Sequence, residues 1–415
     1  MPRKLILHAD LNNFYASVAC LNQPALWEVP LAVCGDPSLR HGIVLAKNVV
    51  AKRMGVRTGQ VIWQARQLCP GLKTIPPSLE GILRYSRRVR DIFGRYTDRV
   101  QPFGTDEAWL DVSGPGMDYD QGLRVANHLR HAIREETGLT VSIGVSDNRI
   151  FAKLGSDLKK PDAVTLVCQE NRKAVLDPLP VSELVFVGPS TTHKLNSVGI
   201  YTVGELAAAP AEMLKALLGK TGLMLSGFAR GEDGAPIPLT GQGAPVKSVG
   251  NSVTAAHDIL TWQDARVTLY GLCESVASRM RKQGLVGRGV QLWMRDAQLK
   301  SCQRQCRADF DTNCSVELFA LSYGLLQESW REGTPLRSLG VSVGGLSPAG
   351  AILQLSFLPE DARRQKHRML EEAIDGIRDR YGHFAIQRAI MLADRPLGGI
   401  NPQEEHVLTP DPYFQ

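Results

Sequence analysis

The sequence lacks several features that would have placed it in a class at once. None of its eight cysteines forms a Cys-x-x-Cys pair, and the tightest group, Cys302, Cys306 and Cys314, has no histidine near it in sequence. That argues against a zinc site and for reduced thiols packed as small apolar side chains. No apolar run approaches the roughly 18 residues that a membrane-spanning helix needs. The opening stretch, "MPRKLILHAD", has neither the apolar centre nor the small-residue cleavage site of an export signal. A cytoplasmic setting is therefore expected, with no membrane partner. Tandem repeats and low-complexity segments are also missing. Charge of one sign is scarce too: 48 Lys and Arg against 42 Asp and Glu leave a net +6. Such an excess permits a polyanionic partner without requiring one.

What is present is the composition of a multidomain globular chain. Its 415 residues, 43% hydrophobic and 22% charged, predict two to four domains. "KLILHAD" reads as a buried strand ending on Asp10. Residues 20–76 form a short, punctuated lobe with two short helices, rich in basic residues and poor in acids. A helix is expected over 77–95, followed by a hairpin around "VQPFGTDEAWLDVSG". Next comes a helix with Val125, Ala126, Leu129, Ala132 and Ile133 on one face and Gly138 as its stop. "LTVSIGVS" is then a strand. This interleaving predicts an α+β layer, with helices on one face of a mostly antiparallel sheet. Two short helices around a Gly-Ile turn follow near 190–210, and a Gly- and Pro-dense stretch at 236–245 is the expected linker. Beyond it, strands such as "RGVQLWMRD" and "LGVSVGGL" alternate with helices, and a charged helix, "RRQKHRMLEEAIDGIRDRYG", lies near the end.

Three carboxylates carry the chemistry. Asp10 ends one strand, and Asp106 and Glu107 open another that can lie beside it. Brought together, the three would raise one another's pKa values unless a cation compensates. Mg2+ suits such a set, being hard and oxygen-seeking, and two such ions are a common device for displacement at phosphorus. On a regular strand Asp106 and Glu107 would face opposite ways. They can share a site only if the chain bends, which "PFG" just before them allows. An exposed turn of no function is the alternative reading of the pair.

"HADLNNFYASV", "PFGTDEAWLDVSG" and "SIGVSDNRIFAKLGSDLKKPDA" together resemble, in order and spacing, the polymerase motifs of the Y-family translesion DNA polymerases, of the DinB (DNA polymerase IV) type. The resemblance runs from residue 4 to about 347. It implies a right-hand polymerase: a palm of antiparallel sheet plus helices (1–19 and 77–168), small fingers (20–76), a helical thumb (169–235), the 236–245 linker, an α/β little finger (246–347) and a C-terminal tail (348–415). It also implies catalysis by Asp10, Asp106 and Glu107, with two Mg2+ ions, replaceable by Mn2+, held by those three and the Leu11 carbonyl. Tyr15 would be the steric gate that rejects a ribose 2′-hydroxyl, although without the motif Phe14 and Tyr15 read as core aromatics. Asn13, Phe14, Tyr15, Lys52 and Lys160 would bind the incoming nucleotide. The family's "N-Y-x-A-R" is "NVVAK" here, so Val49 stands for the tyrosine and Lys52 for the arginine. Lysine keeps the charge but not the planar fork, and Lys47, Arg53 or Arg40 could share the load.

"VGPSTTHKLNSVGIYTVGEL" resembles a helix-hairpin-helix, a phosphate-holding motif that includes Gly188, although Phe186 stands where its first glycine is usual. Plain packing between two helices is an equal alternative. Lys247, Arg281, Lys282, Arg288 and Arg295 are candidate DNA contacts of the little finger. "QLSFL", with Gln354, Leu355, Phe357 and Leu358, resembles a sliding-clamp motif with its last two residues exchanged. The expected partners are primer–template DNA, dNTPs and a sliding clamp, and the expected state is a nucleoid-associated monomer. The expected activity is low-fidelity, template-directed translesion synthesis. The alternative is a catalytically weak, clamp-tethered accessory protein. A palm-type nucleotide cyclase is a remote third.

Overall fold

A computed structural model describes residues 4–36, 40, 42–242, 245–350, 359–399 and 401. They fall into two compact units, one built on Val44–Ala244 and the chain before Cys34, the other on Pro245–Val407.

At the centre of the first unit is a five-stranded sheet in the order Val100–Pro102, Glu107–Asp111, Ile6–Leu11, Val141–Ser146, Val164–Leu166. All pairs are antiparallel except the last. The two-residue period of a strand sorts its side chains. Leu5, Leu7, Ala9 and Leu11, with Ala108 and Leu110, enter a core shared with the helices Phe14–Asn22, Leu79–Gly94 and Tyr119–Thr137. Ile6 and Trp109 face the other way, into a core shared with the helix Arg149–Leu158 and the small helices between 172 and 230. Helices thus cover both faces rather than the one expected, because the second face is itself apolar. His8, Asp10 and Glu107 lie in phase with Ile6 and Trp109, on the side of the Arg149–Leu158 helix. That helix comes unusually close: a Cβ on Gly144 would sit 1.8 Å from the Ala152 carbonyl oxygen. Only glycine permits this approach.

The Tyr119–Thr137 helix buries Ala126, Leu129 and Ile133, as its spacing predicts, and stops at Gly138. Leu31–Cys34, Val44–Lys47 and Lys73–Ile75 form a three-stranded sheet, accompanied by the two short helices Val49–Arg53 and Ile62–Leu68. Around 190, Pro189–Asn196 and Val203–Ala208 form a helical pair, the second opened by a Thr202/Glu205 capping box. Part of the expected linker is anchored. Ile237 is fully buried, Arg99 donates to its carbonyl at 3.1 Å, and Thr240 donates to the Asp98 carbonyl.

The second unit is a four-stranded antiparallel sheet, Ser301–Thr312, Leu285–Asp296, Leu336–Pro348, Ser248–Ile259. The helices Trp262–Lys282 and Ser315–Ser329 pack on it around one core. The charged helix, Pro359–Tyr381, docks on this unit by buried ion pairs. Arg378 and Arg388 close on Glu274 at 2.9 and 2.7 Å, and Arg281 binds Glu371 and Asp375. Met391 and Leu397 then complete the core. All eight cysteines are free thiols, and no described helix is long and apolar enough to cross a membrane.

Candidate active site

The central strand pair brings the carboxylates together by register. Asp10 lies directly opposite Glu107, and the Leu11 amide donates to the Asp106 carbonyl at 2.9 Å. The expected bend is present. Gly104 has φ +93, Asp106 precedes the strand that Glu107 opens, and the Phe103 amide reaches back to the Glu107 carbonyl at 2.8 Å. Asp106 therefore escapes strand alternation and lines the same cleft as Asp10.

Two lysines stand in this cluster. Lys153, on the Arg149–Leu158 helix, pairs with Asp10 at 3.1 Å, with Glu107, and with Asp157 at 3.5 Å. Lys160 pairs with Asp10 at 3.0 Å and Asp157 at 2.8 Å. Burial opposes the charge of both, but the surrounding carboxylates outweigh it and raise their pKa values. His8 is fully buried, with Nε2 3.3 Å from Glu107 and Nδ1 2.8 Å from the Ser156 hydroxyl. Burial first, then Lys153, lower its pKa well below the usual value, so it is neutral. Asp106 is pushed up to about 7 by burial, then by Asp10 and Glu107.

Burial is the largest cause of that last shift, and the Lys153 charge only partly offsets it. Among the described residues no three His, Cys, Asp or Glu side chains stand as a ready metal site, and the Lys153 ammonium pairs with both Asp10 and Glu107. The chemistry of the donors nonetheless suits a hard divalent ion: Asp10 faces Glu107, Asp106 adjoins them through its carbonyl bond to the Leu11 amide, and Lys153 offsets the burial of Asp106 only in part.

An open cleft of about 910 Å³ extends from the carboxylates and is lined by Asn13, Phe14, Tyr15, Lys47, Val49, Lys52, Arg53, Thr58 and Lys160 among others. Phe14 is buried in the core, whereas Tyr15 is half-buried. Lys47 donates to Thr58 at 2.9 Å. Burial and then Lys52 lower its pKa. Lys47 and Arg53 thus join Lys52 on this wall, while Arg40 is not among the lining residues.

Lys153, Asp157 and His8 escaped the sequence reading. The signal was the Lys153, Asp157, Lys160 spacing of four and three, which resembles an ordinary surface helix pair. Phe186 keeps the left-handed backbone of the glycine it replaces, with φ +69, and Gly188 is exposed at the start of the Pro189–Asn196 helix.

In the second unit Lys247 is exposed, Lys282 pairs with Asp379, Arg288 grips Asp311, and Arg295 donates to the Leu299 carbonyl. Arg281 must be reassigned. Its side chain is 9% exposed and held by Glu371, Asp375 and the Asn313 carbonyl, which makes it an internal strut rather than an exposed phosphate contact. Gln354, Leu355, Phe357 and Leu358 lie outside the described residues.

Comparison with known proteins fits this geometry. Residues 9–157 match the impB/mucB/samB family model and 246–357 its C-terminal domain, while 183–233 match a DNA polymerase-iota thumb domain. The chain is 43% identical to a DNA polymerase IV of Acetivibrio thermocellus, over 96% of this chain and all of that one. It is 36% identical to a DNA polymerase IV of Pelotomaculum thermopropionicum, over 93% and 95% of the two chains. A solved Y-family DNA polymerase chimera, Dbh-Dpo4(243-245)-Dbh, shares the fold with a TM-score of 0.72 at 22% identity, covering 82% of this chain and 98% of its own. With carboxylates, cleft and whole-length similarity in agreement, the chain belongs to the impB/mucB/samB family, as a Y-family polymerase of the DNA polymerase IV type.

Proposed function

We propose that Asp10, Asp106 and Glu107 are where this polymerase joins a deoxynucleotide to a primer end. As a member of the DNA polymerase IV group it is a DNA-directed, translesion DNA polymerase that uses a divalent metal, primer–template DNA and dNTPs. The observation that carries the site assignment is the register that sets Asp10 opposite Glu107, with the bend that turns Asp106 into the same cleft.

Asp10, Asp106, Glu107 and the Leu11 carbonyl would hold two Mg2+ ions, or Mn2+ in their place. When bound, such a pair supplies charge to activate the primer 3′-hydroxyl and to neutralise the departing pyrophosphate. The side chains of this protein do the rest. Lys153 yields its place between Asp10 and Glu107 and keeps Asp157 as a partner. Lys160, Lys52, Lys47 and Arg53 draw the triphosphate into the cleft, with the Asn13 and Phe14 backbone beside it. Val49 adds shape but no hydrogen bond. Tyr15 packs under the sugar and excludes a 2′-hydroxyl.

We read the palm as 1–19 and 77–168, the fingers as 20–76, the thumb as 169–235, the linker as 236–245 and the little finger as 246–347. A fingers lobe whose described residues form two short α-helices, one 3₁₀ turn and three short strands leaves little surface to test base-pair shape, consistent with low fidelity and tolerance of damaged templates. Gly188, Lys247, Lys282, Arg288 and Arg295 would contact DNA phosphates, and residues 354–358 would bind a sliding clamp. A cytoplasmic, nucleoid-associated monomer suits that role.

The test is primer extension with Mg2+ and each dNTP on an undamaged template. Glu107→Ala should slow extension roughly a hundredfold or more, on the scale of removing a key transition-state contact. A wild-type protein that binds primer–template yet never extends it at millimolar dNTP would replace this reading with an accessory role.

A further inference from the structure

Phe186 is where this chain departs from a glycine-bearing hairpin, and its surroundings indicate why. It lies in the turn between Val181–Glu183 and the Pro189–Asn196 helix, at φ +69. A bulky side chain rarely occupies that region, and it persists only where contacts hold it there. The contacts are aromatic. The Phe186 ring stands 6.3 Å from Phe228 and 6.5 Å, edge-on, from Phe103. Phe103 stands 5.0 Å from Trp109, and Trp109 stands 5.0 Å from His8. These separations are those of favourable ring pairs. His8 in turn lies 3.3 Å from the Glu107 carboxylate.

Four rings, Phe186, Phe103, Trp109 and His8, therefore run without a break from the hairpin to the carboxylates, with Phe228 packed beside the first. Phe103 is the member that matters most. It immediately precedes Gly104, and its amide is bonded to the Glu107 carbonyl. Its orientation is part of the bend that turns Asp106 into the cleft and from which the strand opens at Glu107.

We propose that Phe186 is a positioning residue for catalysis: its ring braces Phe103, and through it the bend that carries Asp106 and Glu107, and so ties the DNA-holding hairpin to the carboxylates. The inference rests on the polymerase reading above. It assigns a cause to the glycine-to-phenylalanine change, since a hairpin needed only for its backbone amides would gain nothing from a ring there.

The experiment is single-nucleotide incorporation by the full-length protein, with kcat, the KM for dNTP, the Kd for primer–template and Tm measured together. Phe186→Gly suits the left-handed backbone and removes only the ring. Phe186→Asn, which also tolerates that backbone, is the second ring-free variant. Both should lower kcat about five- to tenfold with primer–template Kd within about twofold and Tm little changed, an effect the size of a modest misplacement at the reacting centre. Phe186→Tyr should restore kcat. Phe103→Leu should lower kcat similarly, and the Phe103→Leu/Phe186→Gly double variant should lose no more than the larger single loss, because both act on one brace. Unchanged kcat in both ring-free variants, multiplying losses in the double variant, or kcat falling only in step with Tm would each overturn the proposal. A wild type that fails to extend primers would overturn the polymerase reading instead, and this inference with it.

Discussion

Tyr15 and Phe14 are neighbours with different fates, which follow from the strand and helix that flank them. Both border the cleft, but Phe14 is buried in the core, whereas Tyr15 is only half-buried against it. Replacing the ring, as in Tyr15→Ala, should therefore leave folding intact and raise ribonucleotide incorporation relative to deoxynucleotide by at least about tenfold, since the pocket would no longer reject the hydroxyl by shape. Competitive single-turnover incorporation of rATP and dATP measures it, and an unchanged ratio would remove Tyr15 from the gate. Asp106 makes a second prediction. Its folded pKa of about 7 exceeds its ordinary value of 3.8, so the folded state holds a proton that the unfolded state has released between those two pH values. Taken alone, this group makes the metal-free protein less stable as pH rises through that window. A divalent ion binds the ionised form and reverses the trend. Added Mg2+ should accordingly raise Tm more at pH 8 than at pH 5.5, and an equal shift at both would contradict the assignment. At this scale the sequence was informative but incomplete. Asp10, Asp106 and Glu107 stood out through the motifs around them, which resemble those of the Y-family; the acid pair alone left an exposed turn as the alternative. Lys153 did not, because its role depends on how near its helix comes to the sheet, and that is set by Gly144 on another element.

Among the elements, the charged helix Pro359–Tyr381 was the least legible. Its inward residues make sense only beside partners about a hundred positions earlier, such as Glu274 for Arg378 and Arg281 for Glu371, and no periodicity announces a match at that distance. Glu371 is almost wholly buried, where it also accepts from the Ser315 amide. Glu371→Ala would strand part of the Arg281 charge and leave the Ser315 amide unpaired, at a cost of about 3–5 kcal/mol. Chemical denaturation of the full chain, followed at the least stable transition, should show that loss. A change below about 1 kcal/mol would mean that Asp375 alone satisfies Arg281. The hairpin at 100–111 was by contrast readable in advance, because "PFG" signals a bend without needing any distant partner. The expectation that helices lie on one face of the sheet failed because the second apolar face is hidden from the periodicity of the strand. His8 and Asp10 interrupt the apolar phase of Ile6, and only Trp109, from the neighbouring strand, reveals that the second face is buried.

For the molecule as a whole, DNA affinity should be governed by released counterions, with the logarithm of the binding constant falling linearly in the logarithm of salt concentration. Each cation that touches a phosphate should add about 0.9 to that slope. Arg295→Ala is expected to lower the slope by about that amount and Arg281→Ala to leave it unaltered, since Arg281 spends its charge internally. Titrating labelled primer–template at several salt concentrations separates the two, and equal slopes for both variants would undo the distinction. The charged C-terminal helix has a consequence for how the second unit comes apart. Glu371 and Arg378 are anchored to Arg281 and Glu274 of the Trp262–Lys282 helix, and Met391 and Leu397 belong to the same core, so residues 363–399 should melt together with that core rather than fray ahead of it as terminal segments commonly do.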